Sequence, residues 1–125
     1  MMTLHPDVRQ ARLVALANAL QGGTLTFYTA PQPSAGAAIT TQTALAVQPL
    51  PMTLTPVDAV LTISLSPITI AETGTAVWGR IEKTGVWVLD GDCGDLNSSA
   101  LFKMRTTALL QDGTLIPLTV QISEG

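Results

Sequence analysis

Charge is scarce in this sequence. Asp, Glu, Lys and Arg make up 12% of its 125 residues, about half the share of an ordinary soluble domain. The six basic residues are scattered and the net charge is −3. Nucleic-acid binding is not expected, because neutralising phosphates takes clustered Lys and Arg. Cys93 is the only cysteine, so no intrachain disulfide can form, and a reducing cytosol would suit the chain. His5 is the only histidine. A hydrolytic triad, a zinc site or a histidine base would all have to use it, and beside Pro6 near the terminus it reads as an idle surface residue. The longest apolar stretch, 59–71, is interrupted by Thr62, Ser64, Ser66 and Pro67. It falls short of the roughly 18 apolar residues of a membrane span. His5, Asp7, Arg9 and Arg12 precede any apolar run, which does not read as a signal peptide.

Thr, Ala, Ser, Gly and Pro fill the space that charge leaves, while hydrophobic residues hold an ordinary 46%. A surface of Thr and Ala is weakly hydrated and easy to cover with another protein, which points to an oligomer or an assembly subunit. The length suits one domain over 1–125, burying about two-thirds of its unfolded surface.

The periodicity predicts one helix, over 7–21. Pro6 and Asp7 suit its start. Leu13, Leu16, Ala17 and Leu20 share its apolar face, and Gly22-Gly23 end it. From there the pattern is β. A strand is expected at 24–29 with Leu25 and Phe27 on one face, and an edge strand or turn at 43–48 with Leu45 and Val47 together. A segment at 60–66 reads as buried on both faces. The clearest signal is a hairpin, 74–83 and 86–90 around Thr84-Gly85. It sets Ala76, Trp78, Arg80 and Glu82 on one face and Val77, Gly79 and Ile81 on the other. Residues 91–97 read as a polar turn and 101–107 as a strand with Phe102 and Met104 on one side. Asp112-Gly113 reads as a turn. A final strand is expected at 115–123 with Leu118, Val120 and Ile122 aligned. The Pro-rich stretch 30–57 reads as an irregular loop or projecting arm, and 58–125 as the main β region. The expected fold is mostly β: an antiparallel β-sandwich (jelly-roll or immunoglobulin-like) or small barrel, with one N-terminal α-helix.

Few residues suggest chemistry. Cys93 sits between Asp92 and Asp95. Acids raise a thiol's pKa, so a passive cysteine is expected. Asp90, Asp92, Asp95 and Asn97 form the densest acidic cluster. Calcium is the functional reading, but the spacing does not match a calcium loop with glycine at six and glutamate at twelve, and a solvated turn is the plainer reading. Gly22-Gly23 follows a helix rather than opening one, the wrong order for a phosphate cradle. Trp78 and Trp87 read as hairpin core aromatics, or as sugar-stacking platforms if exposed. Arg80 and Glu82, beside Trp78, read equally as an interface anchor or as a solvated pair on an open sheet face. With Leu13, Leu16 and Leu20 of the helix they are the candidate interface residues. No catalytic, cofactor or metal residue is assigned.

The hairpin also carries a resemblance. Gly74-Thr75-Ala76-Val77-Trp78-Gly79-Arg80-Ile81, then Val88-Leu89-Asp90-Gly91, then Asp95-Leu96-Asn97 resembles a family of small bacteriophage and prophage virion proteins. Leu16 to Leu20, the Gly22-Gly23 pair, and Leu25, Tyr28 and Pro33 are similar to that family's N-terminal pattern. Two departures stand out: a short Gly91–Asp95 loop, and Ser98-Ser99 where an apolar residue would follow. The resemblance implies a β-sandwich-like structural protein of the phage head or tail, with no catalytic residues and no cofactor. It would be made in the host cytoplasm, located in the virion, and partnered by copies of itself and by capsid or tail proteins. The other expectation is a carbohydrate- or receptor-binding module of a tail or adhesin.

Overall fold

The computed structural model describes residues 5–115 and 120–123. One helix, α1 (Pro6–Leu20), precedes eleven short strands among them: β1 (Thr24–Tyr28), β2 (Ala44–Pro49), β3 (Val60–Ile63), β4 (Ile68–Thr69), β5 (Gly74–Thr75), β6 (Trp78–Lys83), β7 (Val86–Gly94), β8 (Phe102–Lys103), β9 (Ala108–Leu109), β10 (Thr114–Leu115) and β11 (Val120–Ser123). The fold is mostly β, and its main sheet curls into a half-barrel in the order β2-β1-β6-β7-β8. The pairings within it are antiparallel except β7–β8. Three two-stranded ladders, β10–β4, β11–β3 and β5–β9, complete it. No helix among the described residues is long and apolar enough to cross a membrane.

The helix forms where the sequence expects it. Pro6 occupies its first turn and His5 caps it, with Nδ1 accepting the Asp7 N–H at 3.1 Å. Gly22 turns the chain out with φ 74°. Leu13, Ala17 and Leu20 recur at helical spacing and are buried to 1% exposure or less. They pack with the inner sides of β3 and β6. Burying a leucine this fully stabilises by about 2 kcal/mol. Leu13 and Leu20 are therefore core residues rather than interface residues, and Leu16 is half-buried against the same core.

Strand pairing gives the sheet two faces. The inner face carries the cross-strand rows Gln48–Leu25–Ile81–Leu89 and Ala46–Phe27–Gly79–Gly91. The neighbouring glycines leave room for Phe102. A Cβ at Gly79 would stand 3.2 Å from its ring, and one at Gly91 2.9 Å from it and 2.5 Å from Leu101. Phe102 meets Phe27 edge-to-face at 6.1 Å. The outer face carries the rows Ala44–Tyr28–Trp78–Asp92, Val47–Thr26–Arg80–Asp90 and Pro49–Thr24–Glu82–Trp87.

Two irregularities reset the expected alternation. The β1–β2 register shifts between Phe27 and Tyr28, so Leu45 is buried while Val47 is 53% exposed, not side by side as alternation predicts. The hairpin turns at Thr84-Gly85 with φ values of 51° and 77°, the left-handed pair that a two-residue hairpin demands. Its register then slips between Ile81 and Glu82, leaving Val88 unopposed.

Several segments differ from the sequence reading. Residues 30–57 are not one irregular arm: β2 within them is the edge strand of the main sheet, as the sequence suggests at 43–48, and with β1 it carries that sheet outside 58–125. β7 runs on through the supposed turn to Gly94. β3 is not buried on both faces, since Leu61 and Ile63 are inside and Thr62 is exposed. The stretch 101–107 forms only β8, although Phe102 and Met104 do face inward together. Of the expected final strand, the described ends pair with different partners, β10 with β4 and β11 with β3. Leu118 lies outside the described residues.

Candidate functional site

The densest assembly of polar and aromatic side chains lies on the outer face of the main sheet. β1 supplies Thr26 and Tyr28, β6 supplies Trp78 and Arg80, and β7 supplies Asp90 and Trp87. Trp78 is fully buried, and Arg80, Tyr28 and Thr26 are 5, 8 and 9% exposed. Tyr28 stacks on Trp78 at 4.7 Å and 20°, and the Arg80 guanidinium lies 5.1 Å from the Trp78 ring centre. The Trp78 Nε1–H donates to the Thr29 carbonyl at 2.9 Å.

Arg80 and Asp90 face each other across β6 and β7. Nε donates to Oδ1 at 2.7 Å and Nη2 to Oδ2 at 3.0 Å. The two side chains are 6 and 2% exposed. This is the two-pronged geometry that makes an arginine–carboxylate pair strong. The hairpin slip creates it. A regular ladder from the Thr84-Gly85 turn would set Arg80 against Leu89, and the extra residue Val88 moves Asp90 into place.

Each titration in the cluster follows from this packing. Burial alone would push the Asp90 carboxyl up. The Arg80 hydrogen bond, the Gly36 N–H, the Arg80 charge and the Trp87 hydrogen bond outweigh it and hold the carboxyl below its ordinary value of 3.8. Arg80 is raised, chiefly by its bond to Asp90 and against the pull of burial. Tyr28 is raised by burial first and by the Glu82 charge second.

The Pro-rich loop is fastened to this cluster. Residues 30–42 leave the sheet where Thr29 and Thr43 prolong the β1–β2 pairing, the Thr29 N–H donating to the Thr43 carbonyl at 3.1 Å. The loop is braced internally. The Gln42 side chain donates to the Pro31 carbonyl at 2.6 Å and accepts the Thr40 N–H at 2.8 Å, and the Ala37 N–H reaches the Ser34 carbonyl at 2.8 Å. The Gly36 N–H donates to Asp90 Oδ2 at 3.0 Å. Gly36 has φ 75°, and a Cβ there would stand 2.9 Å from the Trp87 ring. The expected projecting arm is thus a flap folded back on its own sheet.

These positions revise the sequence-derived candidates. Trp78 and Arg80 are interior, so in this structure neither offers an interface. Arg80 is neither a solvated ion nor a partner of Glu82; Asp90 takes its donors because the bulge aligns them. Glu82 is half-buried opposite Trp87, which is 43% exposed. The acidic cluster is dispersed among separate tasks. Asp90 holds Arg80, Asp92 Oδ1 accepts the Leu101 N–H at 3.0 Å, and Asp95 Oδ1 accepts the Asn97 N–H at 3.0 Å. Among the described residues no three His, Cys, Asp or Glu side chains are grouped to hold a metal ion. Burial first, and Asp92 second, push the Cys93 thiol up to about 12. His5 is taken up in capping α1.

A second feature lies at the start of α1, where a cleft of about 610 Å³ separates the helix from residues 56–60. Asp58 and Ala59 adopt φ values of 52° and 60°, and Val57 and Val60 exchange backbone hydrogen bonds around them at 2.9 and 3.0 Å. Gln10 clamps this turn to the helix, donating to the Pro56 carbonyl at 2.7 Å and accepting the Ala59 N–H at 2.8 Å. Neither the clamp nor the flap is marked in the sequence by a motif, because each joins segments about fifty residues apart. No known family matches the chain, and no curated protein or solved structure gives a match.

Proposed function

We propose that this chain is a non-enzymatic structural subunit of a bacteriophage particle: a head decoration or stabilising protein, or a head–tail or tail component, acting by self-association and lattice contacts. The observation that carries the reading is its surface. In a chain with 12% charged residues, Met52, Leu110, Val57 and Val86 stand 78, 69, 65 and 63% exposed. Exposed large apolar side chains on a chain so poor in charge suit a surface covered by neighbours. The fate of the reactive residue types supports the same reading, since His5, Cys93, Asp90, Asp92 and Asp95 serve capping, burial or loop closure. The segment that resembles phage virion proteins forms the centre of the sheet, where Gly79 and Gly91 seat Phe102 and Arg80 meets Asp90. Its residues read as determinants of fold.

Light scattering at two protein concentrations tests the proposal, with sedimentation against purified phage heads and tails. A closed oligomer, or co-sedimentation with either particle, is the expected outcome. A monomer at both concentrations that binds neither would sink it.

One observation favours carbohydrate binding as a second reading. Trp87 is held against Gly36 yet keeps 43% of its surface open beside Glu82, a platform on which a sugar ring could stack. A glycan array with wild-type protein and Trp87→Ala separates the two readings: Trp87-dependent binding would favour this one.

A further inference from the structure

We infer that Glu82 and Trp87, neighbours across β6 and β7, form a binding site for an arginine side chain of a partner protein. The site requires neither self-association nor a phage particle.

Three observations lead there. First, one carboxylate on the outer sheet face is left over. Asp90 is taken up by Arg80 through two bonds. Glu82 follows Arg80 on the same face of β6 and is half-buried. Among the described residues its carboxylate makes no hydrogen bond or ion pair. Lys83, the next cation along the strand, is turned away to the Asn18 carbonyl at 3.0 Å. Arg80, Asp90 and Glu82 thus carry one positive and two negative charges, and the surplus sits on Glu82, where a cation that hydrogen-bonds it is favoured. Second, the aromatic beside it is both open and fixed. Trp87 stands opposite Glu82 in the ladder, where facing Cβ atoms are about 4.5–5.5 Å apart. Its side chain is hydrogen-bonded to Asp90 and packed against Gly36, yet it keeps 43% of its surface exposed. A ring already fixed loses little freedom on binding, and its π face attracts a cation. Third, the two groups together select the occupant. An indole and a carboxylate side by side fit a group that is both planar and positive. Guanidinium is that group, forking onto the acid while stacking on the ring. The same sheet face already carries the pattern internally: Arg80 bonds Asp90 and lies 5.1 Å from the Trp78 ring centre. A lysine ammonium is a compact point charge and fits less well, and a neutral sugar would leave the charge of Glu82 unanswered.

Nuclear magnetic resonance titration tests it, with tetra-arginine, tetralysine and tetraglutamine peptides as probes. Tetra-arginine should shift the Trp87 indole Nε1–H and the backbone amides of Glu82 and Trp87. Tetralysine should do so more weakly, and tetraglutamine not at all. Glu82→Gln and Trp87→Leu should each weaken tetra-arginine binding about 3-fold, and the double variant about 10-fold. Spectra unchanged away from the site confirm that each variant is folded, and the near-isosteric Glu82→Gln carries the test if Trp87→Leu is not. Glu72→Gln removes a charge from an exposed position elsewhere and should leave binding unchanged. An equal loss in Glu72→Gln, or shifts spread over the whole surface, would reduce the binding to general attraction for an acidic chain and overturn the site. The absence of any shift at millimolar tetra-arginine would overturn it as well, whatever the oligomeric state proves to be.

Discussion

Replacing Asp90 by alanine strands Arg80, a guanidinium whose side chain is 6% exposed, with no carboxylate to receive its Nε–H and Nη2–H. Removing one member of a buried pair typically costs about 3–5 kcal/mol, because the partner charge stays desolvated. The Gly36 N–H loses its acceptor as well, which adds about 1 kcal/mol. A domain of this size is stabilised by about 5–15 kcal/mol in total, so Asp90→Ala should bring it close to unfolding. Arg80→Met should cost nearly as much, since it leaves Asp90 buried. The double variant Arg80→Met/Asp90→Ala removes both charges and should be several kcal/mol more stable than the sum of the single losses predicts. Urea unfolding followed by tryptophan fluorescence, to which buried Trp78 and part-exposed Trp87 both contribute, measures all four proteins. Single losses below about 1 kcal/mol, or losses that simply add, would refute the view that this pair is a desolvated clamp.

Other outcomes follow from the same structure. The Asp90 carboxyl is held below its ordinary 3.8, so the folded state binds this proton less readily than the unfolded chain does. Its contribution is complete above the ordinary value and is lost as pH falls through and below it; a urea series from pH 6 to pH 2 should show that acid loss in wild type and a smaller one in Asp90→Asn. Cys93, with its thiol raised from 9.0 to about 12, should carry roughly a thousand-fold less thiolate than an unfolded chain at pH 8. Iodoacetamide should therefore label it quickly only after denaturation, and fast labelling of the native protein would contradict its burial. Gln10→Ala removes both bonds of the turn clamp and should cost about 1–3 kcal/mol in thermal or urea unfolding. Ala59→Gly relieves a φ of 60° and should stabilise by about 1 kcal/mol or less, the left-handed strain offset in part by glycine's greater freedom when unfolded.

The sequence by itself determined what depends on neighbours along the chain. The helix at 6–20 follows from Pro6, the leucine spacing and Gly22-Gly23. The hairpin follows from Thr84-Gly85, whose backbone must turn left-handed, and the inward sides of β1 and β8 follow from alternation. Only the tertiary structure decided the rest. Alternation is blind to a bulge: the extra residues at Leu45 and Val88 interrupt it, and the second of them alone turns Arg80 from Leu89 to Asp90. The pattern of one strand also cannot show what lies over it. Trp78 is the core aromatic that the hairpin pattern suggests, but Trp87, read the same way, is 43% exposed, and Arg80 looks like a member of an open face yet is interior, with the flap fastened beside it by a bond from Gly36 to Asp90, fifty-four positions away. Local conformational preference acts within a few residues and is written in their order. Register slips and long-range burial are settled by the free energy of the whole packed chain.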